Sequence, residues 1–218
     1  QAVAFGEEYA RKEDRSYRMI HAALRGEVRT AKRLQIELSV AVARTKFAKA
    51  ADAAMRTFLD FIDPREKCTA VYCAAEANHL KIIRLLHEMR ADLDKPNTVE
   101  GATPAHLAAQ QGHTAMVQLL YDLGADVHRE ANGEGRPIHA AAQAGHDKTV
   151  GLLLALRADP NWRSIDGSTP IWDAAFDGHS TVVLMLLSSR AAPNIANNNR
   201  STPLMVAAQE NHPECIAI

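Results

Sequence analysis

Apolar and polar positions between residues 68 and 218 recur in blocks of nearly constant length. An apolar segment ending in paired alanines opens each block: Thr69-Ala-Val-Tyr-Cys-Ala-Ala75, Thr103-Pro-Ala-His-Leu-Ala-Ala109, Arg136-Pro-Ile-His-Ala-Ala-Ala142, Thr169-Pro-Ile-Trp-Asp-Ala-Ala175 and Thr202-Pro-Leu-Met-Val-Ala-Ala208. Their first residues are 34, 33, 33 and 33 apart. Three residues after each alanine pair stands Asn-His or Gly-His: Asn78-His79, Gly112-His113, Gly145-His146, Gly178-His179 and Asn211-His212. A second apolar run follows, then an Ala-Asp-type turn and a polar loop tip.

Each block reads as two short helices and an extended loop. Thr caps the first helix and Pro occupies its first turn, where a missing N–H costs nothing. Paired alanines keep that helix slim, and Gly or Asn supplies the left-handed residue that ends it. The Val/Leu run forms a second helix with an apolar stripe. No block can bury its apolar face alone, so stability requires stacking of about three or more. The fold class expected is all-α.

Period and motif together resemble the ankyrin-repeat family, with its Thr-Pro-Leu-His-x-Ala signature. The resemblance implies a solenoid of stacked helix-turn-helix units that binds protein partners and performs no catalysis. Several positions depart from the family pattern. The signature histidine, which in the family bonds adjacent repeats together, reads Tyr72, His106, His139, Trp172 and Met205. Arg136 replaces the capping Thr in the third repeat, so a looser junction is expected there, and the loop after the first repeat holds one extra residue within Lys95 to Ala102.

The organisation expected is an N-terminal helical region over 1–67 and an array of five repeats over 68–218, the last incomplete. Within the first region, Ala22-Ala23-Leu-Arg-Gly26 matches the repeat frame, which predicts a degenerate capping repeat over about 18–38 with Val28 to Leu38 as its second helix. Gly26 and Asn78 are 52 apart, one period plus 19, so an amphipathic helix over about 40–62 is read as inserted. Its stripe of Phe47, Ala51, Ala54, Met55, Phe58 and Ile62 suits packing on the array or on a neighbour. The chain begins with Gln1 and breaks off within a second helix, so leader removal or a longer parent protein is expected.

Composition adds exclusions. Only 5% of residues are aromatic, which favours thin helices over a broad sandwich core, and a net charge of −1 gives no ground for general nucleic-acid binding. Charge is uneven, with 14 basic and 10 acidic residues in 1–67 against 11 and 16 in 68–218. The three cysteines, Cys68, Cys73 and Cys215, are too few to staple the chain, and Cys73 and Cys215 fall at helix positions where they are expected to act as small hydrophobes. That usage predicts an intracellular, cytoplasmic setting, with an organelle open if a leader is removed.

No Ser/His/Asp constellation, phosphate-cradling loop or isolated acid pair supports an enzyme. Five of the ten histidines recur at the repeat period in one position, which predicts a backbone-bonding role, since an active site does not recur in every repeat. No cofactor, metal, nucleic acid or small-molecule substrate is therefore expected, and membrane contact only indirectly through a complex. The function expected is a protein-binding scaffold or adaptor. Alternatives are a structural or peripheral subunit of a larger assembly and a regulatory segment of a longer protein.

In proteins similar to this one, partners contact the loop tips and the exposed side of the first helix. The candidates here are Gln110, Gln111, Gln143, Trp162, Arg163, Ile165, Trp172, Asp173, Phe176 and Asp177. Both tryptophans and Phe176 fall around the fourth repeat, and large aromatics with Arg dominate interface hot spots.

Overall fold

The computed structural model describes residues 15–16, 18–43, 59–62, 67–133 and 135–218. It divides after Val99 into two compact units, each described by itself. The division falls beyond the expected 67/68 boundary, because the first full repeat and the helices before it belong to one unit.

In the first unit, residues 18–25 are helical, Gly26 turns at φ +65°, and α1 follows (Val28–Ala43). The sequence reading ends this helix at Leu38, but it continues to Ala43, since no Gly or Pro intervenes to stop it. The inserted stripe from Phe47 to Phe58 lies outside the described residues. The first repeat supplies α2 (Ala70–Glu76) and α3 (Leu80–Glu88). Thr69 caps α2 by accepting from the Tyr72 N–H, and Ile82, Ile83, Leu85 and Leu86 of α3 are buried.

His79 joins this repeat to the helices before it. Its Nε2 donates to the Leu24 carbonyl at 3.0 Å, and its ring lies against Gly26, where a Cβ would come within 2.8 Å. The degenerate segment thus offers the first repeat the same Gly and carbonyl that a full repeat offers its successor.

Here the cysteines depart from expectation. Cys68 is bonded to Cys73, with Cα atoms 6.6 Å apart, so Cys73 is half of a bridge across the first turn of α2. The two are five positions apart in sequence, and closing so short a loop restrains the unfolded chain least. Cys215 is a buried free thiol.

The second unit repeats the helix pair four times: α4 (Pro104–Gln110) with α5 (Thr114–Asp122), α6 (Pro137–Gln143) with α7 (Asp147–Ala155), α8 (Pro170–Phe176) with α9 (Ser180–Ser188), and α10 (Pro203–Gln209) with α11 (Pro213–Ile216). Paired alanines Ala108/Ala109, Ala141/Ala142 and Ala174/Ala175 are buried, as are Met116, Leu120, Val150, Leu153, Val182 and Leu186 of the second helices. Pro opens each first helix.

Two caps differ from the reading. Thr103 and Thr202 accept from the N–H three residues on, but Thr169 Oγ1 is buried without a partner because the Trp172 N–H bonds the Thr169 carbonyl instead. At α6 the cap runs in reverse: His139 Nδ1 accepts from the Arg136 N–H at 3.2 Å. The loop before it closes on itself, Ala131 N–H donating to the Gly135 carbonyl. A junction expected to be loose is thus held by His139, the capping function having moved from Arg136 to the residue three ahead.

Candidate binding groove

Three sets of bonds tie neighbouring repeats of the second unit and so fix its groove. The first is the periodic histidine. His146, His179 and His212 donate from Nε2 to the carbonyls of Gln110, Gln143 and Phe176, at 3.0, 2.9 and 2.9 Å. Each ring covers the helix-ending Gly of the preceding repeat. The backbone-bonding role read from their spacing is what these rings perform.

The second set lies midway along the first helices. His139 Nε2 donates to the Trp162 carbonyl at 3.0 Å, the bond expected of the signature histidine. Where the fourth repeat has Trp172, its indole N–H donates to the Ser201 carbonyl of the next repeat at 3.1 Å. Trp172 thus replaces the histidine bond and also presents a large ring. The third set joins loop tips: Asn132 N–H to Glu100, Ile165 N–H to Gly133 and Asn198 N–H to Asp166.

First helices and loop tips together enclose a groove of about 440 Å³. Gln110, Gln143, Ile165, Trp172, Asp173, Phe176 and Asp177, all expected from the sequence, line it. Ile165 is 77% exposed and Phe176 38%, so apolar surface is open to a partner. Trp172 and Phe176, one helical turn apart, stack with centroids 5.4 Å apart and planes 17° from parallel.

Three of the expected contacts lie elsewhere. Gln111 is exposed but outside the lining. Trp162 sits beneath Arg136, whose guanidinium carbon is 3.4 Å from the ring centroid, and its indole N–H is buried without a partner. Arg163 is exposed, but Nε donates to the Gly167 carbonyl and Nη2 to that of Ala196, which closes its own loop on the next. Loop conformation decides both placements, and residue type gave no sign of it.

Sequence reasoning missed His106, His139 and Asp166 as groove residues. Burial drives the pKa of both histidines down to about 4, against weaker opposing influences from Glu100 at His106 and from backbone hydrogen bonds at His139. Both rings are therefore neutral near pH 7, and His106 Nδ1 has no partner. Asp166 is partly desolvated, which would raise its pKa, but donors from Ser164 and Ser168 outweigh this and hold it below the usual value. Asp173 behaves oppositely. Its carboxyl is pushed well above the ordinary range, first by desolvation and then by the charges of Asp166 and Asp177. Some of its surface is open to the groove, yet protein surrounds it closely enough to disfavour the charge.

A family model of ankyrin repeats in three copies matches residues 19–131 and 136–218. The chain belongs to the ankyrin-repeat family. Its fold is accordingly an all-α ankyrin solenoid, and the match starting at residue 19 takes in the degenerate segment as well. Ankyrin repeats generally mediate protein–protein interaction and are generally non-catalytic. No curated protein is similar enough in sequence to count as a match. Among the described residues no helix is long and apolar enough to cross a membrane, and no three of His, Cys, Asp and Glu are grouped to hold a metal.

Proposed function

We propose that this ankyrin chain is a non-catalytic scaffold or adaptor that binds a partner protein in the groove between α4, α6, α8 and the loop tips. The observation that carries this reading is the stacked Trp172–Phe176 pair on α8, open in the groove beside exposed Ile165. Aromatic anchors in a preformed concavity supply binding energy at little ordering cost, because the His and loop-tip bonds already fix the backbone. Trp172 is held by Ser201 and Phe176 by its place one turn along the helix.

Affinity capture from the protein's own cells, comparing the intact chain with Phe176→Ala, tests the reading. Phe176 carries exposed ring surface, so its loss should leave the fold in place and weaken partner retention at least tenfold. Equal retention by a folded Phe176→Ala chain would overturn the groove as the binding surface. Trp162→Ala serves as a contrast, since that ring is covered by Arg136 and its removal should act on stability.

A further inference from the structure

The groove has negative charge and no positive group of its own to match it. Along α8 and its C-terminal cap, Trp172-Asp173 recurs one turn later as Phe176-Asp177, so an aromatic stripe and an acidic stripe run side by side. Asp166 adds a third carboxylate from the loop tip. No Lys or Arg lines the groove, and its two histidines are neutral.

Asp173 is the telling member. Its carboxylate borders the groove, is closely surrounded by protein, and has no hydrogen-bond or ion-pair partner among the described residues. Buried carboxylates are normally paired or hydrogen-bonded, and one left alone calls for a missing partner. His106 Nδ1 is a second orphaned polar atom in the same wall.

We propose that this groove seats an arginine side chain from the partner's binding segment, its guanidinium lying on the Trp172–Phe176 stack and pairing with Asp173 and Asp177. The inference rests on the reading of the groove as the partner-binding surface. An apolar side chain would fit the rings but would seal Asp173 away from water without a counter-charge. A guanidinium meets both requirements, because it is planar, stacks on aromatic faces and forks onto carboxylates. Lysine offers only a point charge to the same surface. A cavity of about 440 Å³ is at the small end of ligand pockets, which suits one or two side chains of an extended segment. The chain already contains one such pairing in Arg136 over Trp162.

Selection of binders to the intact chain from a random library of 12-residue peptides tests this. Expected are groove-dependent peptides, lost with Phe176→Ala, that share an arginine. Replacing that arginine by citrulline, which keeps the shape and removes the charge, should weaken binding at least tenfold, and replacing it by lysine should weaken it less. Asp173→Asn and, separately, the exposed Asp177→Asn should each weaken the arginine peptide while the chain stays folded. Citrulline peptides that bind as tightly, or arginine peptides indifferent to both Asp variants, would overturn the inference. If the selected peptides need Phe176 but have no shared cation, the groove remains the binding surface and the arginine seat alone is lost. If no peptide depends on the groove, the binding-surface reading is lost too.

Discussion

His179 lies so close over Gly145 that a Cβ added there would be 2.5 Å from the ring Nδ1, while the same ring donates from Nε2 to the Gln143 carbonyl at 2.9 Å. One side chain therefore both fills the space left by a missing Cβ and ties the fourth repeat to the third. Gly145 also has φ +72°, a left-handed backbone that glycine adopts without penalty.

Gly145→Ala should accordingly cost about 2 kcal/mol or more, from backbone strain together with displacement of the His179 bond. Gly124 is the control. It has φ +89°, but a Cβ there meets nothing within 4 Å, so Gly124→Ala should cost only about 1 kcal/mol. Urea unfolding of the two variants gives the difference, and equal losses would show that the histidine contact contributes nothing.

Asp173→Asn should stabilise the folded chain at neutral pH. The folded pKa of Asp173 is raised above the unfolded value of 3.8, so the folded state binds its proton more tightly and stability falls as pH rises above 3.8. Removing the carboxyl removes that cost, so the melting temperature should rise. A melting scan at pH 7 showing a loss would contradict the unpaired state of this group.

Acid should destabilise the second unit through His106 and His139. Both are neutral in the fold with pKa about 4, against 6.5 when unfolded, so their contribution is complete above about pH 6.5. As pH falls toward 4 the unfolded chain takes up protons that the folded chain does not. By pH 5 the loss is about 2 kcal/mol per histidine. Urea midpoints at pH 7 and pH 5 measure it, and His139→Gln should flatten the dependence.

The sequence by itself determined the repeat, its register and most of its caps. Thr-Pro, paired alanines, Gly-His and a Val/Leu run each have a local reason to stand where they do, and those reasons recur every 33 or 34 residues. It also pointed to a backbone-bonding role for the periodic histidines, which His79, His146, His179 and His212 perform, and the family resemblance put Trp172, Asp173, Phe176 and Asp177 among the candidate contacts. Only the tertiary structure decided which loop residues join them. Trp162 and Arg163 read as well as Ile165 for a binding tip, yet Arg136 covers one, and a carbonyl of its own loop and one of the next loop hold the other. Likewise the pairing of Cys68 with Cys73, the reversed cap at Arg136 and the isolation of Asp173 depend on atoms brought together by turns and stacking. Periodicity records which face a residue occupies; which neighbour reaches it first is settled by the path of the loops.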